Sequence, residues 1–276
     1  VCRIDEVSAA REPNLRWYPR VYGPACGRGR AGEFSCRRET PGGCIFMDIV
    51  LASPALNVYE QMALDECLVR ARPREATLRF YRWTAGPAVT FGYAQFFSEV
   101  RRAAQAHPGP LARRPTGGGV VFHGADLTFS LVFPSAERPA EIYRRLHACI
   151  HEQLARLGAQ NRVFDRKLPA SAYAPSMHHA ASACFSNPVE NDLLAADGAK
   201  VLGGAIRRFG QTVLYQGSLQ LPGARENPAC KKAVIDAARV FWATDLTPCR
   251  ADETLLQAAR QLAQTQYAQK AWTEKF

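Results

Sequence analysis

The chain has 276 residues, 47% of them hydrophobic, enough for one sizeable core or two small ones. No apolar run approaches the length of a membrane span, which argues against a membrane protein. The formal net charge of +10 favours acidic partners such as a carrier protein. Its lysines and arginines are spread rather than blocked and carry no nucleic-acid motif, so no nucleic-acid partner is expected. Nine cysteines, odd in number and without a tight CxxC pair, form neither a disulfide framework nor a metal-ligand pattern. They fit a reducing cytoplasm.

Residues 1 to 46 are rich in arginine, glycine and proline, carry Cys2, Cys26, Cys36 and Cys44, and show no sustained helical or strand period. A regular sequence opens at Met47. The first 46 residues are therefore expected to be a disordered or non-native extension, and residues 47 to 276 a single domain. Asp48 to Leu51 predicts a short strand. Asn57 caps a helix that runs to about Ala71 with Met62, Leu64, Leu68 and Val69 on its apolar face, and Pro73 ends it. Asp65 and Glu66 fall in mid-helix, where a solvated or capping face is expected. Leu78 to Trp83 and Ala88 to Gly92 read as two strands joined by a turn through Gly86 and Pro87. Ser98 begins a short helix that stops near His107-Pro108.

Residues 113 to 134 follow. Arg113 and Arg114 precede three glycines, Gly117, Gly118 and Gly119, then a β-type run ending in His123, and a second run from Leu127 to Phe133. Three bare residues let backbone N–H groups face an anion, and the arginines add planar forks for carboxylate or phosphate. The stretch reads as an anion cradle leading into a β-hairpin.

Pro139 to Leu157 is an amphipathic helix with Ile142, Leu146, Ile150, Leu154 and Leu157 on one side and Cys149 beside them in the core. Residues 159 to 190 read as a loop holding His178, His179, Cys184 and Phe185. Asn191 to Ala196, Ala199 to Arg208 and Thr212 to Leu221 form a meander, with a tight turn at Asp197-Gly198. Two helices, Pro228 to Trp242 and Asp252 to Gln269, close the chain, with a loop at Leu246 to Arg250. Short turns between strands imply a mixed, largely antiparallel sheet with helices packed on it, an α+β arrangement. Within the meander, Lys200 enters a strand ahead of Gly203 and Gly204. A bare strand accepts an extended ligand, and the lysine supplies a point charge for a carboxylate, phosphate or carbonyl oxygen.

Taken together, Arg-Arg-x-x-Gly-Gly-Gly-x-x-Phe-His, Asp-Leu-Thr-Phe-Ser, Cys-Phe, Lys-x-x-Gly-Gly-Ala-x-Arg-Arg and Gln-Gly-Ser, in that order over about residues 47 to 222, resemble the lipoate-protein ligase and octanoyltransferase family. Asn57 to Glu66, Leu-Arg-Phe-Tyr-Arg-Trp and Val-Thr-Phe-Gly-Tyr-x-Gln upstream are similar to the same family. The resemblance implies a fold shared with biotin-protein ligases and related to class II aminoacyl-tRNA synthetase cores. It implies transfer of an octanoyl or lipoyl group to a lysine of a lipoyl carrier domain, in a 2-oxoacid dehydrogenase or glycine cleavage protein. It places Arg114, Gly117, Gly118, Gly119 and His123 in an acyl and phosphate cradle. Asp126 stands near the position where ligases carry an asparagine that helps bind the activated intermediate. Lys200 matches the lysine that polarises the acyl group, Gly203, Gly204 and Ala205 line the acyl slot, and Trp83 covers it.

Two chemistries fit this resemblance. A cysteine-type octanoyltransferase takes its acyl group from acyl carrier protein through a thioester, and Cys184 sits where that group keeps its nucleophile. A ligase activates free lipoate with ATP and magnesium. Neither implies a tightly bound cofactor. The lack of a long C-terminal accessory region favours the transferase. Ile206 stands where many members have glutamine, and Tyr215 and Gln216 stand where a histidine is expected.

Overall fold

The computed structural model describes residues 37–40, 43–46, 48–71, 74–84, 86–166 and 188–276. The expectations about Met47, Pro73, His178, His179, Cys184 and Phe185 lie outside these residues. Strands β1 (Arg37–Thr40) and β2 (Gly43–Phe46) pair antiparallel, with Arg37 opposite Phe46 and Thr40 opposite Gly43. The sequence offered no strand period here, and backbone pairing does not require one.

Strand β3 (Ile49–Ala52) leads to helix α1 (Val58–Arg70). Asn57 and Glu60 form a reciprocal capping box: the Asn57 side chain accepts from the Tyr59 and Glu60 N–H groups, and Glu60 accepts from the Asn57 N–H. Strands β4 (Thr77–Phe80) and β5 (Ala88–Phe91), helix α2 (Phe97–Ala103), and strands β6 (Leu111–Arg113), β7 (Val121–His123) and β8 (Leu127–Pro134) follow. Helix α3 (Pro139–Arg156) starts on a proline whose missing N–H costs nothing in the first turn. Strands β9 (Asn161–Val163), β10 (Leu193–Ala195), β11 (Lys200–Phe209) and β12 (Thr212–Leu219) precede helix α4 (Pro228–Trp242). Strand β13 (Thr247–Arg250), helix α5 (Glu253–Leu262), a π-helical segment (Ala263–Tyr267) and helix α6 (Lys270–Thr273) end the chain.

Eight strands form one mixed sheet in the order β13-β3-β4-β8-β12-β11-β10-β9. The β13–β3 and β3–β4 contacts are parallel and the rest antiparallel. A second sheet has the order β6-β5-β7. The α+β expectation with a largely antiparallel mixed sheet therefore holds.

Strand β8 alternates cleanly. Leu127, Phe129, Leu131 and Phe133 face α3 and α4, where Ile142, Leu146, Val234 and Phe241 complete a core. Val132 faces the opposite side, toward α1 and α5, where Met62, Leu64, Leu256 and Tyr267 form a second core. Thr128 and Ser130 share the parity of Val132 and are buried. On β12, Gln216 and Ser218 stand opposite Ser130 and Thr128, so four small or polar side chains gather under α1.

Three expectations are corrected. β7 and β8 are not a hairpin: β7 pairs with β5 in the small sheet and β8 with β4 and β12 in the large one. β4 and β5 likewise lie in different sheets rather than in one turn-linked pair. Local turn residues mark where a strand ends, but the partner is chosen by the sheet that buries its side chains. Leu246 to Arg250 is not a loop, because β13 runs parallel to β3 at the sheet edge, where Pro248 needs no ladder partner on its open side.

Candidate functional site

The glycine stretch is held from two sides. Gly118 has φ +88°, a conformation that favours glycine. Its carbonyl presses on Gly92, where a Cβ would stand 2.8 Å from the Gly118 carbonyl carbon. Arg114 is buried and donates to the carbonyls of Gly117 (2.9 Å) and Gly119 (2.8 Å) and to Thr90 Oγ1 (2.8 Å). Arg113 is fully buried and donates to the carbonyls of Tyr93 (2.6 Å), Gln95 (2.7 Å) and Thr273 (2.8 Å). Both guanidinium groups, read from sequence as planar forks for an anion, here also engage protein oxygens. Arg113 ties the C-terminal helix to the small sheet, and Arg114 braces the glycine loop against β5.

Behind the loop lies a polar relay. Arg114 reaches Thr90, Thr90 Oγ1 lies 2.8 Å from His123 Nε2, and His123 Nδ1 lies 2.9 Å from Asp126 Oδ2. Thr128 (2.7 Å) and Ser218 (2.6 Å) also donate to Asp126 Oδ2, and Arg225 donates to its backbone carbonyl. Burial by itself would raise Asp126, but the charge of His123 and the hydrogen bonds of His123, Ser218 and Thr128 hold it down at about 2. A carboxylate only accepts, so His123 Nδ1–H donates to Asp126. Trp83 stacks on the His123 ring with centroids 4.8 Å apart.

Lys200 owes its direction to an irregular register. Leu193 pairs with Leu202, but Leu194 pairs with Lys200, so Val201 is an extra residue on β11. This bulge puts Val201 beside Leu202 in the α3 core and turns Lys200 to the face of Gly203. The lysine lies across that glycine: a Cβ on Gly203 would stand 2.6 Å from Nζ. Lys200 Nζ is 2.8 Å from Asp192 Oδ2, with both side chains buried. Nothing in the sequence pattern singled out Asp192. A carboxylate eight residues before a glycine-flanked lysine is a signal only once β10 and β11 are known to pair. Gly204 serves the opposite face, where its missing Cβ makes room for the ring of Tyr215.

The third cluster was misjudged from sequence. Asp65 is fully buried rather than solvated, and receives Arg79 Nε (3.1 Å), Ser130 Oγ (2.7 Å), Gln216 Nε2 (2.8 Å) and the Tyr81 hydroxyl. Glu66 is also buried, and takes the Tyr267 hydroxyl and Gln266 Nε2 (3.0 Å) from the π-helical segment, with Arg70 beside it. Gln216, at the position where a histidine was expected, has its amide fixed by Asp65, Tyr81 (2.9 Å) and Thr116 (2.5 Å).

These clusters surround a cavity with about 390 Å³ of empty space, its open mouth included. Met62, Val121, Gly203, Ala205 and Gly217 supply apolar or bare wall, and Tyr81, Thr90, Thr128, Gln216 and Ser218 the polar wall. Arg114, His123, Gly203, Gly204 and Ala205 line it, while Gly117, Gly118 and Gly119 do not. Trp83 and Asp126 reach it through His123, and Lys200 through Gly203. Thr90, Gln216, Ser218 and Met62 are wall residues that sequence reasoning missed. The strand alternation that buries Thr128, Ser130, Gln216 and Ser218 on one face was the available signal.

Cys184 lies outside the described residues. The described residues on either side of its segment meet, with Asn191 N donating to Phe164 O at 2.7 Å. None of Cys67, Cys149, Cys230 and Cys249 lines the cavity. Burial pushes the Cys67 thiol up to about 12 and raises Cys149 and Cys230 as well. Among the described residues no group of three or more His, Cys, Asp or Glu could hold a metal ion, and no helix is long and apolar enough to cross a membrane.

Two layers of helices about a mixed sheet, with a glycine loop and a buried lysine beside a largely apolar cavity, define a protein class that comparison identifies. Residues 57–227 match the lipoyl protein ligase A/B catalytic domain, and the chain belongs to that family. It is 34% identical over 170 residues to Octanoyltransferase LipM of Symbiobacterium thermophilum, a match covering 59% of this chain and 61% of the relative. It is 32% identical over 196 residues to Octanoyltransferase LipM of Anoxybacillus flavithermus, covering 64% of each. The chain thus spans about three fifths of the length of these curated relatives.

Among solved structures it is similar to a putative lipoate protein ligase from T. acidophilum with bound lipoic acid, with TM-score 0.67, 21% identity, and 83% of this chain and 99% of that one covered. Lipoate-protein ligase A bound with ATP gives TM-score 0.66 at 22% identity, covering 83% and 99%. Likeness at such identity speaks for the fold alone.

Proposed function

We propose that this chain is an acyltransferase of protein lipoylation, which moves an octanoyl or lipoyl group to a lysine of a lipoyl carrier domain by way of a thioester on Cys184. The observation that carries this reading is a lysine cation laid across a bare strand at the wall of a largely apolar cavity. The apolar wall suits a fatty chain. The ammonium suits the carbonyl oxygen, on which negative charge develops as the tetrahedral intermediate forms. The likeness to curated octanoyltransferases supports the same reaction.

In the first step the Cys184 thiolate attacks the thioester carbonyl of octanoyl-acyl carrier protein and expels the carrier thiolate, which takes a proton from solvent. In the second the neutral amine of the acceptor lysine attacks the enzyme thioester. An amide forms, the Cys184 sulfur leaves, and the amine proton passes to it or to solvent. Arg114, the glycine loop and the Thr90–His123–Asp126 relay keep the cavity wall rigid during both steps. Lipoyl domains of 2-oxoacid dehydrogenases or glycine cleavage proteins are the acceptors, in the cytoplasm. The net charge of +10 suits an acidic carrier protein.

The test is intact-mass analysis after incubation with octanoyl-acyl carrier protein. One octanoyl group is expected on the wild-type chain and none on Cys184→Ala. A Cys184→Ala variant that still acylates a lipoyl domain at the wild-type rate would overturn the thioester route. A second reading is an ATP-dependent lipoate-protein ligase, since the fold is also that of a ligase bound with ATP. It expects lipoate-dependent ATP–pyrophosphate exchange that survives Cys184→Ala and is lost in Lys200→Ala.

A further inference from the structure

A lysine at an acyl cavity faces a chemical hazard. As an ammonium it polarises the carbonyl. As a neutral amine it attacks that carbonyl, displaces the thiol, passes its proton to the departing sulfur, and ends as an amide. Burial favours the neutral amine, because the charged form loses its water. Lys200 is buried, yet its ammonium meets a carboxylate that is itself built in.

Asp192 Oδ2 takes Lys200 Nζ at 2.8 Å and the Val189 N–H at 2.6 Å. Its Oδ1 takes the Tyr143 hydroxyl at 2.6 Å, and Tyr143 in turn accepts the Gly204 N–H at 3.1 Å. Both carboxylate oxygens are thus engaged by donors fixed on α3 and on the approach to β10. Burial pushes Asp192 upward, and Lys200, Tyr143 and Val189 work against it. From the α3 face of the sheet come His147 on α3 and Tyr215 on β12. Burial holds His147 down at about 3, with the charge of Lys200 adding to the effect. His147 is therefore neutral. Its Nδ1–H donates to Asn191 O (2.7 Å) and its Nε2 accepts from Tyr215 (2.8 Å), so it makes no claim on Asp192.

We propose that Asp192 is the positioning residue that keeps Lys200 a cation across Gly203, so that the lysine polarises the acyl carbonyl without being acylated by it. The purpose rests on the acyl-transfer reading above, whereas the experiment does not need turnover. The full chain is treated with the N-hydroxysuccinimide ester of octanoic acid over a pH series and digested. The octanoyl amide on the Lys200 peptide is then followed against exposed Lys270 as reference.

In Asp192→Asn the labelling midpoint of Lys200 is expected to fall by about one pH unit or more, with Lys270 unchanged, and Asp192→Glu restores it. Faster labelling of Lys200 at an unmoved midpoint would mean that Asp192 only packs, and overturns the proposal. If Asp192→Asn does not fold, Asp192→Ser takes its place. The same fall in midpoint is expected there, and no shift overturns the proposal. A shifted midpoint in a chain that forms no thioester on Cys184 would remove the acyl-transfer reading and leave this hold standing. An unmoved midpoint in a chain that forms the thioester would do the reverse.

Discussion

The ring of Tyr215 fills the space that a side chain on Gly204 would need. A Cβ there would stand 2.5 Å from Tyr215 Cε2, and one on Gly217 would stand 2.7 Å from Cε1 of the same ring. The bare strand is thus shaped by the protein's own packing on the α3 face and by the cavity on the other. Gly204→Ala is expected to destabilise the fold by about 1–3 kcal/mol through overpacking. Urea unfolding measures this, and the penalty should shrink on a Tyr215→Leu background, because the two changes share one space.

The contact between Gly92 and Gly118 is backbone against backbone, so no side chain can swing away. Gly92→Ala is expected to displace the glycine loop and Arg114 with it, lowering acyl transfer at least about tenfold, the rate that goes with about 1.4 kcal/mol. Wild-type transfer kinetics in a folded Gly92→Ala chain would show that the loop does not set the cavity wall.

Asp65 and Arg79 are fully buried partners. Asp65→Asn leaves the Arg79 guanidinium without its carboxylate, and a loss of about 3–5 kcal/mol in unfolding free energy is expected. Arg70→Ala, which removes the half-exposed partner of Glu66, should cost about 1 kcal/mol or less. Equal urea midpoints for the two variants would contradict the contrast.

Acid should unfold this protein in two ranges. His147 is held at about 3 by burial, far below its unfolded value, so the unfolded chain takes up a proton first. Its contribution is full above about pH 6.5 and is lost as pH falls toward 3. Asp126 is held at about 2, so its contribution is full above about pH 4 and is lost as pH falls through 2. Unfolding free energy measured from pH 7 to 2 should fall through both ranges. His147→Gln should flatten the upper one alone.

Much of the outline is legible in the order of the amino acids. Asn57 and Glu60 announce the cap of α1, Pro139 and the apolar spacing announce α3, and Asp197-Gly198 announces the turn into β11, because each signal lies within one turn or one helix face. The pairing of β7 with β5, the edge position of β13 and the burial of Asp65 are not legible there. Each depends on which distant segment arrives beside it.

By itself the sequence determined the motifs that mark the family, and where helices start and strands turn, since those are short-range matters of capping, periodicity and bare backbone. Only the tertiary structure decided what those residues face. Arg113 donates to backbone carbonyls and Arg114 to carbonyls and the Thr90 hydroxyl, an extra residue at Val201 turns Lys200 toward Gly203, and Asp192 meets its ammonium, because strand register and sheet partner are settled by long-range burial.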